Sequence, residues 1–352
     1  MATQRRFLSA LCSTCENVTS ILDHHEALRS VVEKAAHCLK AKASSIRLVD
    51  KTGERLEIAA TYGLSPKYLK KGPVDLTKSL LDRTVLGGNV LQIKDVTKDT
   101  RFQYGAEAKK EGIRSVLCVP LKFRNRMLGV LRIYTGRTRV FTDEEIIFIE
   151  TFAAQGAVVI KNSQRYRRLK TLNEIGRNIT SQLDIQSVLT MICAHATRDM
   201  SAKGAAIMLI SRDTGQLEAV ATYGLSERFI HKGPVRADKS IRECLEGKSV
   251  VIEDTARDRR IQYPAELKQE GIKSLICAPL KLKGGAIGTL RIYTGYNYTY
   301  DQEDLEFLDI LGDFGVVALE NARLYEHIKR DYEDLTKDVW KWYDWGKRSP
   351  RI

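Results

Sequence analysis

Arg132 and Tyr134 lie two residues apart in Leu-Arg-Ile-Tyr, and the same tetrapeptide returns with Arg291 and Tyr293. In a strand, period-two alternation puts Arg and Tyr on one face and Leu131 and Ile133 on the other. With the aliphatic face packed on helices, each guanidinium is turned into a covered space where it needs acceptors. Two groups would answer it: the anionic end of a bound small molecule, or a structural Asp or Glu. Tyr104 and Tyr263, in matching Gln-Tyr segments, either line the same space or belong to the core. Cys118 and Cys277 also match; inside an apolar strand a cysteine is ordinarily a small buried hydrophobe, with a redox or covalent role as the alternative. Cys12 and Cys15, near His24, His25, His37 and Cys38, have half the pattern of a metal or redox site. Helical i,i+3 spacing accounts for that pair without metal, and Asn173 and Gly176 replace it later in the chain. No Walker loop, Gly-x-Ser-x-Gly elbow or zincin helix is present, so neither a catalytic set nor a metal set is assigned and the expectation is a non-enzyme.

These pairs belong to an internal repeat. Residues 56–74 return at 217–235 and residues 127–136 at 286–295, at an offset of 161 early and 159 later. The difference places a two-residue insertion near Leu86-Gly87-Gly88. A period this long means a duplicated domain rather than a solenoid. Each copy reads as a helix (24–40, 185–200), two strands (44–49 and 55–62 in the first copy), a Gly/Pro loop over 63–73, and a short helix over 78–86. A strand at 89–93, a charged helical stretch at 103–111 and two aliphatic strands at 114–121 and 127–134 follow. A long helix then opens at Thr142 with capping-box spacing to Glu145; Asp301 is the cap in the second copy. One sheet with helices packed on it, twice, is an α+β pattern.

Ser-x-x-x-x-Pro-Leu, then Gly-x-Leu-x-Ile, then Phe/Tyr-x-x-x-Asp/Glu resembles the GAF domain. Ser115–Leu121, Gly129–Ile133 and Phe141–Glu145 carry the pattern first, and Ser274–Leu280, Gly288–Ile292 and Tyr300–Asp304 carry it again. The resemblance implies two antiparallel six-stranded sheets, each with helices on one face and a small-molecule pocket on the other. The expected layout is an N-terminal helix (1–23), GAF-like domain A (24–160), a connecting helix (161–184) continuous with the last helix of A, GAF-like domain B (185–322), and a C-terminal coiled-coil-like helix with a Trp-rich basic tail (323–352). In the pocket the resemblance places Arg132, Tyr134, Tyr104 and Cys118, and Arg291, Tyr293, Tyr263 and Cys277. Family ligands with known signatures are disfavoured. The cyclic-nucleotide pattern is incomplete at Asn125-Arg126 and Glu145-Ile146, the bilin motifs are absent, and His231 is the lone pocket histidine in copy two for a haem. No cofactor is assigned.

Three segments carry heptad-like apolar spacing: Leu8, Leu11, Cys15, Val18 and Leu22; Leu169, Leu172, Gly176, Ile179 and Leu183; and Tyr325, Ile328, Tyr332, Leu335, Val339 and Trp342. The expected use is a parallel homodimer, and the alternative is a helix folded onto its own domain. Trp340, Trp342 and Trp345 precede a basic end and are expected to dock on a separate protein partner. The formal net charge is +13, but acidic residues are interleaved with the basic clusters, so a nucleic-acid-associated or scaffold role is the alternative and not the favoured one. Seven cysteines without a framework spacing, no membrane-length apolar run and no signal-peptide h-region give the expectation of a reduced, cytoplasmic chain. The expected function is a non-catalytic sensor. A small molecule enters one or both pockets and shifts dimeric helices that report to a separate partner.

Overall fold

The computed structural model describes residues 24–50, 52–124, 126–181, 184–233, 235–236 and 242–348, with the side chains of His24, 180–181 and 338–348 left aside. Leu8, Leu11, Cys15, Val18, Leu22 and Leu183 lie outside the described residues, as do the side chains of Val339, Trp340, Trp342 and Trp345. The chain forms two compact units, one through Tyr166 and one from Arg167.

In the first unit the elements run α1 (His24–Cys38), β1 (Ala43–Val49), β2 (Arg55–Tyr62), α2 (Pro66–Leu69), β3 (Val74–Asp75), α3 (Leu80–Leu86), β4 (Leu91–Ile93), α4 (Gly105–Lys110), β5 (Ser115–Phe123), β6 (Arg126–Thr135) and α5 (Asp143–Ser181), whose residues from Arg167 onward belong to the second unit. The six strands make one antiparallel sheet in the order β3-β2-β1-β6-β5-β4. In the second unit the order is α6 (Ile185–Asp199), β7 (Gly204–Ile210), β8 (Gln216–Tyr223), α7 (Glu227–Ile230), β9 (Val235–Arg236), α8 (Arg242–Leu245), β10 (Val250–Ile252), α9 (Pro264–Glu270), β11 (Ser274–Leu282), β12 (Gly285–Thr294) and α10 (Gln302–Arg348). Its sheet repeats the topology as β10-β11-β12-β7-β8-β9. Two six-stranded antiparallel sheets with helices make the α+β architecture that the repeat implied.

Each sheet divides its side chains by parity. In the first unit Ile46, Leu117, Leu131 and Ile133 face α1 and α5, packing with Leu28, Val32, Ile149 and Phe152. The neighbouring residues Ala43, Val116, Cys118, Val130 and Tyr134 pack instead with Tyr68, Leu81, Val85 and Phe102 from the crossover segments. The capping box at α5 forms, with Thr142 N–H donating to Glu145 Oε2 at 3.0 Å and Glu145 N–H to Thr142 Oγ1 at 3.3 Å. Asp301 caps α10 in the same way, accepting from Asp304 N–H at 2.9 Å.

The structure differs from the sequence expectation in three places. The 63–73 segment carries α2, N-capped by Ser65, whose Oγ accepts from Tyr68 N–H at 3.2 Å. The two-residue strands β3 and β9 are too short for any periodicity to reveal. Gly88 and Gly247 adopt matching left-handed backbones (φ 99° and 92°) just after α3 and α8. The two copies are therefore offset by 159 there, so the two-residue difference falls before Gly88. In the second unit Ile179 is buried in the core and Leu172 packs against it, whereas Leu169 is exposed. At those two positions the apolar stripe serves its own domain.

Gly129 fixes how closely β6 approaches β1. A Cβ there would stand 2.0 Å from the Arg47 carbonyl oxygen, and at Gly288 it would stand 2.2 Å from that of Met208. The obstacle is backbone, so no rotamer relieves it. Gly129→Ala is expected to destabilise the first domain by about 1–3 kcal/mol, seen as a lowered urea midpoint with little change in slope; an unchanged midpoint would show that the strands part without cost.

Candidate functional site

On the face of the domain A sheet turned away from α1 and α5, Ser45 of β1 is opposite Arg132 of β6, Ala43 is opposite Tyr134, and Arg47 is opposite Val130. Cys118 of β5 lies across from Arg132 on the other side. Arg47 sits where the β1–β2 register shifts, Ile46 pairing with Ala60 and Arg47 with Ile58, so that Ala59 is an extra residue. Such bulges bend a strand and re-aim its side chains.

Arg132 is 2% exposed, and its Nη2 donates to Oδ1 of Asp82, itself 1% exposed on α3. Ser79, the N-cap of α3, donates its hydroxyl to Asp82 Oδ2 at 2.6 Å. Burial works against the Arg132 charge, but the Asp82 carboxylate outweighs it and holds the guanidinium well above its usual pKa. The structural carboxylate that the sequence left as one of two options is therefore Asp82. Tyr134 is buried, with its phenol 3.0 Å from Ser45 Oγ. Tyr104 donates its phenol to Pro73 O at 2.8 Å. Cys118 is fully buried, and burial pushes its thiol up to about 12, so it serves as a small protonated hydrophobe.

The residues that sequence reasoning missed are Arg47, Lys71 and Tyr68. Arg47 is 0% exposed, and none of its three guanidinium nitrogens has a hydrogen-bond partner among the described residues. The Lys71 ammonium is also buried without a hydrogen-bond partner, 3.5 Å from the centre of the Tyr68 ring and 4.7 Å from that of Tyr104. Burial first, then the charges of Arg47 and Arg132, lower the Lys71 pKa to about 6. Tyr68 Oη and Arg132 Nε lack partners as well. Burial, with Tyr134 adding to it, raises the Tyr68 phenol well above its usual value. An unpaired buried polar atom costs about 1–3 kcal/mol, and more when charged, so native proteins carry few of them. Here they gather on one sheet face, with three cationic side chains and only Asp82 paired to one of them. A visible signal for Arg47 exists in the sequence: it is a lone cation in the strand Ser-Ser-Ile-Arg-Leu-Val, two residues from Ser45.

Domain B keeps the scaffold and loses this grouping. At the corresponding positions Ala206, Met208 and Phe229 replace Ser45, Arg47 and Tyr68. Arg291 donates Nε to Thr289 Oγ1 at 3.1 Å beside buried Tyr293. Lys232 donates to the Phe229 carbonyl at 3.1 Å, and burial with Arg291 lowers its pKa to about 8. Cys277 and Cys244 are buried with their sulfurs 2.9 Å apart. Tyr263 is half-buried ahead of α9. An open groove of about 730 Å³ in domain A, lined by Gln92, Lys94, Asp95, Lys98 and Arg101 among others, shares no residue with the Arg47 group. There Arg101 pairs with Asp99, and Asp95 accepts from the Thr97 hydroxyl at 2.7 Å.

The chain matches the GAF domain family over residues 22–161 and 182–320. It belongs to that family, whose domains are sensory and regulatory modules, and it carries two copies. It is 25% identical over 232 residues to the formate hydrogenlyase transcriptional activator of Salmonella typhimurium, covering 60% of this chain and 34% of that one. It is 28% identical over 163 residues to a phosphoenolpyruvate-dependent phosphotransferase system protein of Escherichia coli, covering 45% of this chain and 21% of the other. The chain thus spans about a third or less of the curated relatives it matches. Among solved structures, a bacteriophytochrome from R. palustris shares the fold over 90% of this chain and 76% of its own, with a TM-score of 0.55 and 10% identity.

The two buried arginines make opposite demands on stability. Asp82→Ala strands Arg132 and is expected to cost about 3–5 kcal/mol, whereas Arg47→Met removes an uncompensated charge and is expected to raise the stability of the ligand-free protein by about 1–4 kcal/mol. Chemical denaturation of both variants checks this, and a destabilised Arg47→Met would show that the guanidinium is already satisfied.

Proposed function

We propose that the protein is a non-catalytic sensor that takes a small molecule in the pocket of domain A and reports it through helices to a separate protein. The observation that carries this reading is Arg47, buried without a hydrogen-bond partner among the described residues on the sheet face away from the long helices. A position kept at such a cost in stability fits a residue that binds something.

The route out of the pocket runs through β1. Ile46, adjacent to Arg47, packs with Ile149 and Phe152 of α5 on the other face of the sheet. A Cβ on Gly156 would meet Leu121 at 3.3 Å and Ile46 at 3.5 Å, so the helix lies close on the strands. A ligand shifts α5 only if it binds one arrangement of β1 better than another. At the far end of α10, Tyr325, Ile328, Tyr332 and Leu335 recur at intervals of three and four and are exposed by 49–71%. A second copy of the same stripe would bury them as a coiled-coil seam, with Leu169 as a further contact. The Trp340, Trp342 and Trp345 segment is the surface assigned to the partner. Regulatory use also fits the relatives, one of which is a transcriptional activator.

Native mass spectrometry of the freshly purified chain tests this reading. The expected species is a dimer that releases a small molecule on denaturation, and the double variant Ile328→Asp, Leu335→Asp is expected to run as a monomer. A wild-type monomer would remove the helical output, and a dimer indifferent to both substitutions would move the seam elsewhere.

A further inference from the structure

Resting on domain A as the sensing pocket, we infer that its ligand is a small dianion, a phosphoryl group or a dicarboxylate, held by Arg47 and Lys71 and bound together with one proton. Domain B does not share the site.

The charges require it. Of the three cationic side chains on this face, Arg132 is neutralised by Asp82. Arg47 is left with its positive charge and five N–H donors that find no acceptor among the described residues. Lys71 is the second cation, and it meets Arg47 from β1, Arg132 from β6, Asp82 from α3, the Tyr68 ring from α2 and the Tyr104 ring beside α4. Two further carboxylates stand nearby, and the charge of Glu107 favours the charged Lys71, though less than Arg47 and Arg132 disfavour it. Glu107 is exposed on α4, and Glu111 is occupied by the Ser65 amide at 2.7 Å and the Ser65 hydroxyl at 2.5 Å. Once Lys71 takes up a proton, the two side chains match two negative charges, and a monoanion would answer only one of them. The Tyr68 phenol supplies a further unpaired donor.

Proton uptake follows from the same group. In the ligand-free pocket Lys71 titrates near 6, so at pH 8 it is almost wholly neutral. An anion beside it favours the charged form and raises that pKa. Binding therefore takes up close to one proton between pH 6 and the raised value, and affinity weakens as pH rises through that range, about tenfold per unit. Below pH 6 the lysine is already charged and the dependence on it disappears. In domain B, Met208 and Phe229 stand where Arg47 and Tyr68 would be needed, so the expected stoichiometry is one per chain.

Calorimetry of the full chain at pH 8 and constant ionic strength tests the inference. Inorganic phosphate, succinate and acetate are titrated in two buffers of different ionisation enthalpy. Phosphate or succinate is expected to bind at one per chain, at least tenfold tighter than acetate, with uptake of nearly one proton. Tighter phosphate assigns the phosphoryl source, and tighter succinate the dicarboxylate. Arg47→Met should abolish binding while remaining folded, as its raised denaturation midpoint would show. Lys71→Met should bind weakly with no proton uptake. The inference is overturned if neither dianion binds, if acetate matches them, if no proton is taken up, or if Arg47→Met binds as well as wild type. A neutral molecule that co-purifies and is lost in Arg47→Met would overturn the dianion while leaving the sensor reading intact.

Discussion

Burying a guanidinium on a sheet face is costly unless an anion answers it, and domain A buries two on the neighbouring strands β1 and β6. One is answered inside the protein. Asp82, presented from α3 and held by the Ser79 cap, reaches Arg132 across 50 residues of chain. The other, Arg47, has no such answer among the described residues. The close contact of β6 on β1 at Gly129 lies directly beside Arg47, whose own carbonyl oxygen leaves no room for a Cβ. The close approach at Gly129 and the unpartnered Arg47 side chain therefore sit together, beside the apolar cluster of Tyr68, Leu81, Val85 and Phe102.

The duplication provides an internal control. Both domains have the same strand order, the same glycine contact at 129 and 288, and the same buried Arg–Tyr pair in β6 and β12. Scaffold alone therefore does not require an arginine at position 47, because Met208 occupies the equivalent place in an equally well-formed core. Nor does it require an aromatic hydroxyl at 68, where Phe229 serves. What the second copy lacks is what a ligand would need. It instead sets the Cys244 thiol of α8 against the Cys277 thiol of β11, and its Arg291 donates to Thr289. Domain A sets Arg47, Lys71 and Arg132 together on this face, whereas domain B keeps Arg291 and Lys232 but has Met208 in place of Arg47.

Much of this was legible before any coordinates. The repeat set the two-domain architecture, and period-two alternation put Arg132 and Tyr134 opposite Leu131 and Ile133, where they are found. The caps at Thr142 and Asp301 were also readable, because a cap is a local interaction. What escaped was non-local. Asp82 could not be matched to Arg132 by spacing. Lys71, in Lys-Lys-Gly-Pro, looks like a solvated loop until Tyr68 and Tyr104 close over it. Arg47 was overlooked for a different reason: comparing the two copies highlights what they share, and Arg47 matters because they differ there. The apolar stripes show a third limit. Heptad spacing reports an apolar face but not what covers it, and Ile179 turned out to be covered by its own domain while Ile328 is not.

The most direct test of a domain A anion site is to see an anion in it. Crystals soaked in selenate, a dianion with strong anomalous scattering, would report every site at once. The account predicts one ordered peak per chain within hydrogen-bond reach of the Arg47 guanidinium and the Lys71 ammonium, with none beside Met208. Peaks confined to surface lysines, or one of equal strength at Arg291, would contradict it.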